Sequence, residues 1–70
     1  MIYNVAIIGY GYWGPKLARN VNNNDKFKIK YIIDYSKKNL EKAKKDFPLS
    51  KLSTNYTNIK KDDVDLVIIS

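Results

Sequence analysis

The stretch Val5-Ala6-Ile7-Ile8-Gly9-Tyr10-Gly11-Tyr12-Trp13-Gly14 decides the fold of this chain. An apolar run stops at a glycine, and Gly9, Gly11 and Gly14 follow at G-x-G-x-x-G spacing. Alone that spacing is a weak signal, so its surroundings carry the reading. Upstream, Ile2 to Ile8 is apolar and rich in β-branched residues, which suits a buried strand. Downstream, Leu17, Ala18 and Val21 recur at helical spacing. A second apolar run, Phe27 to Ile33 with its core at Ile29 to Ile33, ends at Asp34, twenty residues beyond Gly14. Strand, glycine turn, helix, strand and terminal acid in this order form the fingerprint of a dinucleotide-binding unit.

Each residue of the fingerprint has a physical task. Gly9 lets the chain turn sharply out of the strand, and Gly11 lets main chain approach a pyrophosphate because no Cβ intervenes. Gly14 lets the helix pack closely on the first strand. The anion is expected against the unpaired N–H groups that open the helix, around Tyr12 and Trp13, where the helix dipole favours negative charge. Asp34 is expected to accept hydrogen bonds from the adenosine ribose, and its charge disfavours a 2′-phosphate, so NAD is expected over NADP. Ser36, Lys37 and Lys38 follow at once and could bind a phosphate, which keeps NADP open. Pro15 falls in the first helical turn, where its missing N–H is tolerated.

Composition narrows the chemistry further. The 70 residues contain no cysteine and no histidine, which excludes a disulfide framework, a Cys-based metal site and the commonest general base. Neither a metal site nor a catalytic residue is expected within the chain. No apolar stretch approaches the roughly 20 residues of a membrane span. Met1 leads almost directly into the first strand, leaving no room for a signal peptide, so a soluble cytoplasmic protein is expected. The formal charge is +6, yet the lysines are dispersed over turns and outer faces rather than gathered in one stripe. Nucleic acid is therefore not an expected partner.

Beyond Val21, the polar run Asn22-Asn23-Asn24-Asp25 reads as the exit from the first helix. Ser36 suits the N-cap of a helix over Lys37 to Asp46, with Leu40, Ala43 and Phe47 on its apolar face and Pro48 stopping it. Leu52 is expected in a short third strand within Leu49 to Thr54. Thr54 or Asn55 then caps a helical turn carrying Tyr56 and Ile59. Asp62 and Asp63 read as a solvated turn rather than a catalytic carboxylate pair, and Val64 to Ile69 as a fourth strand. The expected architecture is α/β, a Rossmann-like three-layer arrangement on a partly parallel sheet of order 3-2-1-4. The ligand crevice then lies outside the ends of strands 1 and 4, at Gly9 and Ser70.

The segment Val5 to Asn20, with its G-x-G-x-W-G form, resembles the start of the Gfo/Idh/MocA family of NAD(P)-dependent oxidoreductases. Asp34 matches that family's ribose acid, and Asp65-Leu66-Val67-Ile68-Ile69-Ser70 resembles the strand leading to its S/T-P turn. The resemblance covers the whole chain. It implies that main chain from Gly9 to Gly14 (Gly9, Tyr10, Gly11, Tyr12, Trp13 and Gly14) holds the pyrophosphate and Asp34 the ribose. Ser70 then starts the turn lining the cofactor's far half. Trp13 is placed either beside the cofactor or in packing against another domain.

Members of the family carry a Glu-Lys-Pro segment and a C-terminal substrate domain, neither of which is found in these residues. Residues 1–70 are accordingly expected to be the partial NAD(P)-binding domain of a longer enzyme, inactive alone, whose substrate is a sugar, polyol or nucleotide-linked sugar. An open edge at the fourth strand points to association, including a homo-oligomer. An NAD(H)-sensing regulatory module is the alternative in a different functional class. A flavin site ranks lower, because such sites usually end the second strand with Glu.

Overall fold

Strands β1 (Tyr3–Ile8) and β2 (Phe27–Ile33) form the centre of the sheet in the computed structural model, which describes residues 1–70. Helix α1 (Gly14–Asn22) joins them, and α2 (Lys37–Asp46) leads from β2 to the short strand β3 (Lys51–Ser53). Two 3₁₀ turns, Tyr56–Asn58 and Lys61–Asp63, then carry the chain across to β4 (Leu66–Ile69). The strand order is β3-β2-β1-β4, and each of the three pairings is parallel. The sheet is thus parallel throughout rather than in part. Each connection runs through helices or helical turns, which return the chain to the same end of the sheet.

Local chemistry accounts for the element boundaries. The Ser36 side chain caps α2 by accepting the Asn39 amide at 3.2 Å, and Pro48 lies just beyond its end. Asn55 caps the first 3₁₀ turn by accepting the Thr57 amide at 2.9 Å. Strand β4 is fastened to β1 at its start by a two-way clasp. The Asp65 carboxylate accepts the Asn4 amide at 2.7 Å, while the Asp65 amide donates to the Asn4 carbonyl at 2.8 Å.

One feature departs from simple alternation. Val5 pairs with Ile29, but the next residue, Ala6, pairs with Tyr31, so Lys30 is an extra residue bulged out of register. Ile29 and Ile32, three positions apart, therefore point to the same face. They join Val5, Ile7, Tyr10, Ala18 and Ala43 in one buried cluster beneath α1 and α2. Ala6, Tyr31 and Ile33 are buried on the opposite face, outside that cluster. Cover on that second face comes from the β3–β4 connection: the Tyr31 hydroxyl donates to the Asp63 carboxylate at 3.0 Å. Asp63 also pairs with Lys30 at 3.7 Å, so it fastens the connection to the bulge. Cover is thinner towards β4, an edge strand on which Leu66, Val67 and Ile69 are exposed.

Candidate dinucleotide site

Gly9 takes φ +102°, a left-handed backbone that side chains other than glycine rarely adopt. A Cβ there would also lie 2.8 Å from the Ser70 carbonyl oxygen and 2.9 Å from its hydroxyl. The Ser70 hydroxyl donates to the Gly9 carbonyl at 2.7 Å, and the Ser70 amide donates to Ile8 at 2.9 Å. The ends of β1 and β4 are thereby locked together where the strand order reverses. At Gly14 a Cβ would overlap the Gly9 carbonyl, so only glycine lets α1 start this close to β1. Gly11 differs from both. A Cβ there meets nothing within 4 Å, so the fold itself does not require glycine at this position.

Between these glycines the main chain has spare donors. The amides of Gly11, Tyr12 and Trp13 donate to no acceptor in the protein. They open α1, whose N-cap Trp13 supplies no side-chain acceptor and whose first turn contains no acid. Donors of this kind at the positive end of a helix dipole form a cradle for an anion. Clear space at Gly11 is the opening through which a phosphate group can approach. The donor set and the space together fit the diphosphate of a dinucleotide.

Asp34 closes the other side. Its carboxylate accepts the Tyr10 amide at 2.6 Å, the Ser36 amide at 2.8 Å and the Asn39 side-chain amide at 3.2 Å. Burial opposes its ionisation. The amides of Ser36 and Tyr10 and the Asn39 side chain outweigh that effect and hold the carboxyl below the ordinary carboxylate range. Asp34 is therefore anionic at neutral pH, with acceptor capacity remaining on Oδ1. A cavity of about 240 Å³ opens beside it at the carboxyl ends of the strands, lined by Asp34, Tyr35, Thr54, Tyr56, Ile69 and Ser70 among others.

The residues expected at the site divide by how they reach it. Gly9, Asp34 and Ser70 line the cavity, and Gly11, Tyr12 and Trp13 provide the free amides. Tyr10 contributes neither group. Its amide is committed to Asp34, and its side chain, 1% exposed, turns into the core, where the hydroxyl donates to Asp46 at 2.6 Å. Burial, reinforced by the bond to Asp46, pushes the Tyr10 phenol well above its ordinary pKa. Tyr12 and Trp13 are exposed and meet edge to face, 5.1 Å between centroids. Two residues in contact with this set were not identified from the sequence. Asn39 bonds Asp34 from the first turn of α2, and its placement three residues after the Ser36 cap was the available signal. Lys16 lies over the rings of Tyr12 and Trp13, and nothing in the spacing marked it.

This fold and cradle define a dinucleotide-binding α/β domain. The family model described as the oxidoreductase family, NAD-binding Rossmann fold (Gfo/Idh/MocA), matches residues 3–70. The chain belongs to this family, and its domain is of the NAD-binding kind. Among solved structures, myo-inositol 2-dehydrogenase from Lactobacillus plantarum is 30% identical, with TM-score 0.84 over 99% of this chain and 21% of that one. Scyllo-inositol dehydrogenase from Lactobacillus casei, solved with NAD(H) and scyllo-inositol, is 21% identical at TM-score 0.84, covering 99% and 21%. GenD2 from gentamicin A biosynthesis, in complex with NAD, is 17% identical at TM-score 0.89, covering 99% and 20%. The last two likenesses speak for the fold alone. No curated protein matches the chain significantly in sequence. The chain spans about one fifth of the length of these structures. No helix is long and apolar enough to cross a membrane, and no group of side chains is suited to hold a metal ion.

Proposed function

We propose that residues 1–70 form the cofactor-binding portion of an NAD-dependent oxidoreductase that acts on a sugar, polyol or nucleotide-linked sugar. The observation that carries this reading is the row of free amides at Gly11, Tyr12 and Trp13, set beside the anionic Asp34. The 30% identity to an inositol dehydrogenase over nearly the whole chain favours a polyhydroxylated substrate, and the one-fifth coverage supports a larger working enzyme.

In this reading the free amides hold the diphosphate and Asp34 accepts from the ribose hydroxyls. The adenosine end occupies the cavity between Tyr35 and Tyr56. Gly9 and Ser70, locked to each other, form the floor on which the remainder of the cofactor runs. Nicotinamide supplies hydride transfer when bound. The residues of this chain bind and orient, and no side chain here is assigned a proton-transfer role. Because Asp34 stays ionised, a 2′-phosphate would meet its charge, so NAD is preferred over NADP.

Calorimetric titration of the chain with NAD and NADP tests the proposal. NAD binding at least several-fold tighter than NADP is expected. Failure to bind either one overturns the cofactor reading, and tighter NADP binding overturns the role given to Asp34.

A further inference from the structure

We infer that Lys16 is an additional anchor for the cofactor's diphosphate, preset for that task by Tyr12 and Trp13. The inference rests on the nucleotide-binding reading above and assigns a specific residue to it. The Lys16 ammonium lies 4.7 Å from the Tyr12 ring centroid and 4.8 Å from that of Trp13. Both rings are exposed, at 74% and 60%, and they belong to the residues whose amides are free. The cation is therefore held by the side chains of the same turn that presents the bare donors.

Its position is otherwise unfavourable. A lysine in the first turn of a helix adds positive charge to the positive end of the dipole. No acid in that turn offsets it, and the chain's single ion pair, Lys30–Asp63, lies elsewhere. Two ring faces, with their negative quadrupoles, are the only partners Lys16 has. Three unpaired amides, a helix dipole and an ammonium without a carboxylate thus converge on one turn, and each is completed by the same thing, an anion. A diphosphate supplies that charge. The flexible stem of Lys16 lets the ammonium leave the rings for a phosphate oxygen without moving the main chain.

The test measures binding of NAD, ADP and adenosine to the wild-type chain, Lys16→Met and Lys16→Arg by calorimetry at two salt concentrations. Lys16 is exposed, so neither substitution disturbs the core. Lys16→Met should weaken NAD and ADP by roughly 3- to 10-fold, the range of an ordinary solvent-exposed hydrogen bond. It should leave adenosine unchanged and make NAD binding less sensitive to salt. Lys16→Arg should retain most of the affinity. Equal NAD affinity of Lys16→Met and wild type overturns the role of Lys16 while leaving the cofactor reading standing. An equal loss for adenosine shows that the effect is not at the phosphates and also overturns it. Absence of NAD binding by the wild-type chain overturns both.

Discussion

The Asp34 carboxylate accepts the main-chain amide of Tyr10 at 2.6 Å, bridging the tip of β2 to the glycine turn. In the proposed binding mode, the acid assigned to the ribose therefore also fixes the conformation of the turn assigned to the diphosphate. Recognition and local architecture share one side chain. Replacing it must change both.

Asp34→Ala leaves the amides of Tyr10 and Ser36 and the side chain of Asn39 without their acceptor. A loss of about 1–3 kcal/mol in urea unfolding is expected, typical of stranding part-buried donors. In the same variant the preference for NAD over NADP should collapse towards parity. Unchanged stability would show that the bond to Tyr10 contributes nothing to the turn, and an unchanged preference would show the same for selectivity.

Gly11 and Gly14 should separate binding from folding. Gly11→Ala places its methyl in open space at a residue without positive φ, so stability should hold or rise by about 0.4–1 kcal/mol. NAD affinity should nevertheless fall by about tenfold or more, since crowding a close contact costs about 1–3 kcal/mol. Gly14→Ala drives its methyl into the Gly9 carbonyl and should destabilise the whole domain. Thermal melts paired with NAD titrations read both effects.

Tyr10→Phe removes a hydroxyl that bonds Asp46, a residue outside the lining of the cavity. Asp46 is exposed and can be hydrated instead, so the expected cost is about 0.5–1.5 kcal/mol in unfolding free energy. NAD affinity should not change. A marked loss of affinity would mean that the Tyr10 side chain communicates with the cradle.

Acid should weaken the fold through two carboxylates. Asp34 is held low by its three donors against the opposing effect of burial. Asp63 is held low by the Tyr31 hydroxyl, against a smaller effect of burial, and by Lys30, Lys51 and Lys60. A depressed folded-state pKa adds stability above the unfolded value, near pH 4, and that stability is lost as pH falls through the folded value. Urea midpoints should therefore be level between pH 5 and 7 and decline below about pH 4. In Asp34→Asn the decline should be shallower, because one of the two groups no longer titrates.

Much of this fold is legible in the residues because local and global preferences agree. Phe27–Ile33 and Lys37–Asp46 have the boundaries that apolar runs, the Ser36 cap and Pro48 indicate. The two 3₁₀ turns sit where Asn55 and the Asp62-Asp63 pair place them. The glycine turn is equally readable, since few backbones besides this one demand that spacing after a strand. What cannot be read are the relations set by tertiary contact. The destination of the Tyr10 ring, the bond from Asp34 to the Tyr10 amide and the stacking of Lys16 all depend on where α2 and the turn settle in space. Strict alternation in β2 would put Ile29, Tyr31 and Ile33 on one face. The bulge at Lys30 instead sends Ile29 to the opposite side.

That surplus residue has a consequence for measuring distances along this chain. A version lacking Lys30 would keep Val5 opposite Ile29 and Ile8 opposite Ile33, and would deliver the same acid to the same place one step sooner. The count from third glycine to acid is therefore an elastic ruler. What fixes the end of strand two in this chain is the short reach from the Gly9 amide to the Ile33 carbonyl, 2.7 Å across the sheet.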